Sequence, residues 1–253
     1  MDTGAARPHF VVTGTGRSGT AYMARLLSAA GHSCGHEELF TPYTNEPPAF
    51  GERRGDSSWL AAPFLPELPE GCVVLHQVRN PVEVLRSFLG IQMFDDAFRL
   101  PAQVRLRRQA WRLREQARAR LGPGSAQPPP PLRADFGGFI RRHTPEVYAS
   151  SDERVRGMTH WVTWNRLVER AGEIADHRYV RYRLEDVDPG LLARLDGLLG
   201  GDGDERRFRN AFATVPSDTN ARARAEGFDL ASMPGSSRLD EFVAMAAEYG
   251  YGL

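Results

Sequence analysis

The chain has no lysine, only two cysteines and no long hydrophobic run. All 32 basic residues among the 253 are arginines, and 32 acidic residues balance them. This balance gives no signal for binding to nucleic acid or to a membrane surface. Cys34 and Cys72 are too few for a disulfide framework or a zinc site. No stretch approaches the roughly 18 apolar residues of a membrane span, and no leader-like segment opens the chain, so we expect a cytoplasmic protein.

Length and composition indicate one folded α/β unit. Apolar residues make up 41% of the chain and charged residues 25%, which is ordinary for a globular domain. We therefore expect a single domain over residues 1–253, and the sequence leaves open whether it forms a homo-oligomer. Residues 122–131, GPGSAQPPPP, predict an exposed, extended linker. Residues 103–121 before it predict a strongly basic helix.

The first motif, residues 10–27, is a short apolar strand that runs into a glycine-rich turn and then a helix. The turn contains three glycines, Gly14, Gly16 and Gly19. Their exposed backbone N–H groups and the positive end of the helix dipole predict a site for an anion. Arg17 adds a fixed charge, while Ser18 and Thr20 add hydroxyl donors. Thr20 is also placed to cap the helix.

Two common nucleotide-binding patterns partly fit this turn. Gly14 and Gly19 have the spacing of a Walker A motif, but Thr20 stands where that motif has its lysine. A P-loop kinase or NTPase would therefore lack its usual phosphate-binding lysine. The same glycines fit the dinucleotide fingerprint, with Glu37 and Glu38 near the expected distance of about 20 residues downstream. A dinucleotide-dependent oxidoreductase is thus a second alternative.

A second motif follows the predicted strand Val73–Val78. The strand ends in Arg79, and Pro81 is well placed in the first turn of a helix. Ser87 lies on that helix, eight residues after Arg79. A P-loop NTPase should place a metal-binding aspartate near the end of such a strand, and VVLHQV contains none. No metal site is therefore expected.

Together the two motifs resemble the donor site of the sulfotransferases that use 3′-phosphoadenosine-5′-phosphosulfate (PAPS). GTGRSGT is similar to the 5′-phosphosulfate loop of that family, in which arginine or lysine precedes Ser-Gly-Thr. The arginine after a strand and the serine on the next helix are similar to its 3′-phosphate site. Residues 183–187, RLEDV, resemble the Arg-Tyr-Glu-Asp-Leu segment that closes the family's core sheet, with Leu184 in place of the tyrosine. The likeness covers residues 10–89 and 177–187.

The resemblance implies a role for each matching residue. The loop residues that would bind the 5′-phosphosulfate are Thr15, Gly16, Arg17, Ser18, Gly19 and Thr20. Arg79 and Ser87 would bind the ribose 3′-phosphate. By analogy with phosphoryl transfer, Arg17 would also stabilise the charge that develops on the leaving oxygen. The implied fold is a three-layer, P-loop-like α/β fold with a central, mainly parallel sheet flanked by helices.

The segment HSCGHEELF, which follows the helix predicted over residues 21–30, carries three adjacent candidates for a general base. We expect a short strand here, placed beside the first strand by a right-handed crossover. His36, Glu37 and Glu38 would then lie near the reacting group, as in the acidic segment of protein-tyrosine and some bacterial sulfotransferases, which this stretch resembles. We favour Glu37 as the base, with His36 as an alternative base or a substrate contact. An imidazole base would titrate near ~6.5, and a carboxylate lower unless burial raises its pKa.

These motifs predict an enzyme that moves a sulfuryl group from PAPS to a small hydroxylated acceptor, a hydroxyl being favoured over an amine, and releases 3′-phosphoadenosine-5′-phosphate (PAP). Residues 41–69, rich in proline, glycine and polar residues, are expected to form a loop region that walls the acceptor pocket. The alternatives are the lysine-less kinase or NTPase, the oxidoreductase and a nucleotide-binding module without catalysis.

Overall fold

The computed structural model of the protein describes residues 7–51, 54–94, 131, 133–174, 178–219, 228–233 and 235–253. The basic helix predicted at residues 103–121, and all of the predicted linker except Pro131, lie outside these residues.

A five-stranded, entirely parallel sheet forms the centre of the fold. Its strands are β1 Phe10–Thr13, β2 Cys34–His36, β3 Gly55–Ser57, β4 Val73–Val78 and β5 Arg178–Arg183. They lie in the order β2-β3-β1-β4-β5. Both β1 and β4 are buried along their whole length, and each begins with three consecutive apolar residues, as is typical of inner parallel strands. The prediction of a central parallel sheet is confirmed.

Helices cover both faces of this sheet. The α-helices are α1 Thr20–Ala29, α2 Pro81–Gly90, α3 Arg133–His143, α4 Glu153–Ile174, α5 Pro189–Leu198, α6 Glu205–Thr214 and α7 Ser237–Glu248. Shorter 3-10 helices span Trp59–Glu67, Pro145–Ala149, Leu184–Asp186 and Leu230–Ser232. Among the described helices, none carries an apolar stretch of the length needed to cross a bilayer.

The side chains of β1 and β4 alternate between two hydrophobic cores. Val11 and Val74 belong to a core that they share with α2, α4, α7 and the 3-10 helix Trp59–Glu67. Val12 and Leu75 belong to the core on the opposite face, together with α1, α5 and α6. This alternation is the period-2 geometry of a strand. Because helices pack on both faces, the predicted three-layer α/β architecture is confirmed.

The prediction that the second strand lies beside the first is wrong. The strand β3 lies between β1 and β2 and pairs with both of them in parallel. It falls within residues 41–69, which were expected to be a loop and which also contain a buried 3-10 helix. The three residues of β3, Gly-Asp-Ser, contain no apolar run, so the hydrophobic pattern gave no sign of a strand. The aspartate of β3, Asp56, is buried, and its carboxyl oxygens accept the backbone hydrogen bonds that a buried carboxylate needs.

Candidate functional site

A cavity of about 1300 Å³ opens at the edge of the sheet where all five strands end. At least one residue from the segment after each strand lines it, including Arg17 after β1, Glu37 after β2, Trp59 after β3, Arg79 after β4 and Leu184 after β5. The chain passes from one side of β1 to the other between β3 and β4, so the sheet has its topological switch point here. Open α/β sheets bind ligands at such a point.

The turn after β1 has the close packing that its glycines predict. A Cβ on Gly14 would lie 2.1 Å from the backbone oxygen of Gln77 on β4. Gly19 has a φ of 97° and is the N-cap of α1, where no side chain caps the helix. The suggested capping role of Thr20 is therefore wrong, because Thr20 is already the first residue of the helix. The first turn of α1 contains no acidic residue, which leaves the positive end of the helix dipole available to an anion.

The six predicted loop residues divide into two groups. Four of them line the cavity: Gly16, Arg17, Gly19 and Thr20. Thr15 and Ser18 are buried beneath the turn, with exposures of 1% and 0%. The carbonyl oxygen of Ser18 accepts a hydrogen bond of 2.6 Å from the Gln77 side chain. The structure thus gives Thr15 and Ser18 places that support the turn, and their predicted contacts with a phosphate stay predictions.

The two predicted phosphate-binding motifs meet in space. Arg17 Nε donates a hydrogen bond of 2.8 Å to Ser87 Oγ on α2. Arg79 Nη1 donates one of 3.0 Å to the backbone oxygen of Arg17. All three residues line the cavity. Two guanidinium groups, a hydroxyl and the N-terminus of α1 therefore face a single space, and this is a chemistry suited to anions.

The helix α2 is held in this position from both sides. Asn80 is its N-cap, and its side chain accepts hydrogen bonds from the N–H groups of Val82 and Glu83. The backbone N–H of Asn80 donates to Glu185, which follows β5, at 2.9 Å. Glu185 also accepts a hydrogen bond from the hydroxyl of Tyr251. The RLEDV segment thus ties the turn after β4 to the turn after β5.

Arg17 and Glu37 both have backbones in the left-handed region, with φ values of 67° and 53°. This region disfavours residues that carry a Cβ, and each such residue costs about 1–3 kcal/mol. Strained residues of this kind cluster at active sites and ligand-binding sites. The two residues face the same cavity, and their charges act on one another.

Glu37 lies in a mostly buried position against Trp59. Its side chain is 22% exposed and accepts a hydrogen bond from the indole N–H of Trp59. Burial raises the pKa of Glu37 to about 7, with a further increase from the negative charge of Asp56. The Trp59 hydrogen bond and the charge of Arg17 act in the opposite direction. A carboxyl that titrates near neutral pH has the proton affinity that a general base needs.

The other two candidate bases differ in their surroundings. His36 lines the cavity, with its Nε2 3.5 Å from Thr20 Oγ1 and 3.6 Å from Glu37 Oε1. Burial, followed by the charge of Arg25, lowers the pKa of His36 below its usual 6.5, so the imidazole is neutral at pH 7. Glu38 is exposed and does not line the cavity. Two of the three candidates thus reach the space where a ligand would bind.

Sequence reasoning gave Trp59 only as an anchor in the segment expected to wall the pocket, and it gave no role to several other residues that shape the site. Trp59 forms part of the cavity wall, and Phe136 of α3 packs on it with ring centroids 5.9 Å apart. Gln77 joins the turn after β1 to Tyr182, whose hydroxyl donates to the Gln77 side chain at 2.8 Å. Asp56 lies in β3, and its side chain accepts a hydrogen bond from the backbone N–H of Glu38, the residue after Glu37. For Asp56, the signal available in the sequence was the polar string Asp-Ser-Ser directly before Trp59.

A scan against protein-family models finds no family that matches this chain, and a search of the curated proteins likewise finds no match. The chemistry of the site is therefore the basis on which a function is proposed.

Proposed function

We propose that the protein is a sulfotransferase that moves a sulfuryl group from PAPS to a hydroxyl group of a small acceptor. The observation that carries this proposal is the contact between the two arginine-bearing turns, Arg17 to Ser87 and Arg79 to the backbone of Arg17. PAPS carries anionic groups at both its 5′ and its 3′ positions. A single cavity that gathers two guanidinium groups, a serine hydroxyl and a helix N-terminus fits such a donor.

The kinase or NTPase alternative has less support. The chain has no lysine to bind the transferred phosphate. Among the described residues, the carboxylate on a strand next to β1 is Asp56, but its side chain is fully buried and both its oxygens accept backbone N–H groups. It is therefore occupied in holding the chain rather than presented to the cavity.

In the proposed reaction, the acceptor oxygen attacks the sulfur of PAPS and a new O–S bond forms. The bond between sulfur and the oxygen of the 5′-phosphate breaks, and PAP leaves with the electron pair. Glu37 accepts the proton of the acceptor hydroxyl, because it combines a raised pKa with a place on the cavity wall. Arg17 and the N–H groups at the start of α1 stabilise the negative charge that develops on the leaving oxygen.

The decisive experiment has two stages. The first measures the thermal stability of the protein with PAP, with ATP and magnesium, and with NAD(P)⁺. We expect PAP to stabilise most, because it has a 3′-phosphate for Arg79 and Ser87 to bind. Equal stabilisation by PAP and ATP, left unchanged in Arg79→Ala, would reject the assignment.

The second stage incubates the protein with PAPS labelled in the sulfuryl group and with pools of hydroxylated acceptors, plus one pool of amines. We expect label to appear on a hydroxyl compound. Specific PAP binding without transfer to any pool would instead favour a nucleotide-binding module. Transfer to amines alone would preserve the enzyme class but contradict the acceptor chemistry.

A further inference from the structure

Asp56 is a completely buried carboxylate next to the proposed site, and the proposed reaction does not use it directly. It occupies the middle of β3 and has an exposure of 0%. Its Oδ1 accepts a hydrogen bond from the backbone N–H of Glu38, and its Oδ2 accepts bonds from the N–H groups of Leu39 and Phe40, all at 3.3 Å. Burying a charged group is unfavourable without such partners.

The three N–H groups belong to the residues directly after Glu37. Glu37 itself has the left-handed φ of 53°, and the chain bends at this residue as it leaves β2. A strained conformation persists only where the surrounding structure holds it in place. The hydrogen bonds of Asp56 provide that restraint, because they fix the three backbone N–H groups that follow the strained residue.

We propose that Asp56 is the positioning residue of this site: it fixes the turn that directs the Glu37 carboxyl into the cavity, and it holds a negative charge beside that turn. The catalytic consequence of this pairing rests on the proposed function, but the pairing itself does not. The contacts between Asp56 and the turn after Glu37 lie within the protein and involve no ligand.

The charges around Glu37 support this role. Asp56 faces Glu37 from β3, Arg17 faces it from the turn after β1, and His36 lies 3.6 Å away at the end of β2. Burial raises the pKa of Asp56 to about 6, and the charge of Glu38 adds to this increase while the backbone N–H groups oppose it. Since Glu37 titrates near 7, Asp56 is largely ionised while Glu37 gains or loses its proton. One negative charge therefore acts on the other carboxyl through the neutral pH range.

The test compares the wild type with Asp56→Asn, which keeps the size of the side chain, removes its charge and replaces one of its two accepting oxygens with an NH₂ group. Without that charge we expect the midpoint of Glu37 titration to fall by about one pH unit. The acidic limb of kcat/KM for sulfuryl transfer should move down by the same amount, while the affinity for PAP stays within about twofold. A residue with a merely structural role would lower activity at every pH and leave both midpoints unchanged, and that result would overturn the proposal.

A readout independent of activity follows the indole N–H resonance of Trp59 against pH, because this group is hydrogen bonded to Glu37. The resonance is assigned by its loss in Trp59→Phe. Asp196→Asn is the matched control, since Asp196 is also fully buried but lies on the other side of the sheet, paired with His32 and Arg207. We expect the control to leave the Glu37 midpoint unchanged. A shift of equal size in the control would contradict a specific role for Asp56.

If Asp56→Asn does not fold, carboxyl ¹³C titrations of the wild type and of Glu37→Gln replace it. Because Asp56 ionises before Glu37, coupling predicts a second, smaller step in the Asp56 carboxyl resonance at the Glu37 midpoint near pH 7, and the loss of this step in Glu37→Gln. A single-step Asp56 titration in the wild type would overturn the proposal. The two proposals can also fail separately: a wild type that shows this coupling but transfers no sulfuryl group would refute the proposed function and leave the role of Asp56 in setting Glu37 intact.

Discussion

Arg17 Nε donates a hydrogen bond of 2.8 Å to Ser87 Oγ, across 70 residues of sequence. The family resemblance assigns Arg17 to the 5′-phosphosulfate and Ser87 to the 3′-phosphate. In the structure, the two side chains are direct neighbours. A ligand phosphate that binds Ser87 therefore also acts on the orientation of Arg17, so changes at one position should affect the other.

Ser87→Ala should weaken PAP binding by about tenfold, because it removes a hydroxyl that can bond to a charged phosphate. Binding of adenosine 5′-phosphosulfate, which has no 3′-phosphate, should fall by less, because Ser87 acts on this ligand only through its contact with Arg17. Isothermal titration calorimetry with both ligands measures the difference. An equal loss for the two ligands would mean that Ser87 acts only by orienting Arg17.

Arg17→Ala should lower kcat by at least ~100-fold, comparable to the loss of a charge-stabilising donor in other transfer enzymes. Arg79→Ala should mainly raise KM for PAPS, because its proposed contact is the same in the ground state and the transition state. Arg86→Ala is the control on α2, since Arg86 pairs with Glu83 and does not line the cavity. A raised KM with normal kcat in Arg17→Ala would make Arg17 a uniform binder.

Glu37→Gln should reduce turnover by ~100-fold or more and leave PAP binding intact, because the amide keeps the shape but cannot accept the acceptor's proton. Glu38→Gln is the adjacent control. It should be nearly silent, since Glu38 is exposed and lies outside the cavity lining. Steady-state rates with the acceptor found in the pools test both variants. Near-normal turnover in both Glu37→Gln and His36→Ala would show that the general base does not lie in this segment.

The same Glu37→Gln variant should be more stable than the wild type above pH 7. Glu37 has a pKa of about 7 in the folded protein against a usual value of 4.5, so the folded state holds the proton more tightly. Its contribution to stability is fully present below about pH 4.5 and is lost as pH rises through 7. The wild type should therefore lose on the order of 2–3 kcal/mol over this range relative to the variant. Denaturant unfolding at pH 5 and pH 8 measures it, and parallel curves would contradict the raised pKa.

The pH profile of the wild type should identify the base, because in the structure the pKa of Glu37 lies above that of His36. From sequence alone, a carboxylate base would titrate below an imidazole unless burial raised its pKa. Burial raises the pKa of Glu37 to about 7 and lowers that of His36 below 6.5. An acidic limb of kcat/KM near 7 that persists in His36→Ala thus indicates Glu37. A limb below 6.5 that disappears in this variant would indicate His36.

Local patterns predicted the elements that carry the proposed phosphate-binding residues. The spacing of Gly14 and Gly19 predicted a tight turn. The structure shows why glycine is needed there: a side chain at Gly14 would collide with the Gln77 carbonyl, and Gly19 has a positive φ. Pro81 predicted the start of α2, where proline needs no hydrogen-bond partner for its nitrogen. The apolar runs of β1 and β4 predicted inner strands of a parallel sheet. Each of these features depends on a few consecutive residues.

Tertiary structure alone decided how these elements work together. The strand β3 carries a buried aspartate that is stable only because the chain after β2 supplies three N–H groups. The pKa of Glu37 depends on burial, on Asp56 and on Trp59, which reach it from a different strand and a different helix. The contact between Arg17 and Ser87 depends on the order of β1 and β4 in the sheet. The sequence by itself determined which groups could bind an anion or accept a proton, whereas long-range packing determined their distances and charges, because these depend on residues far apart in the chain.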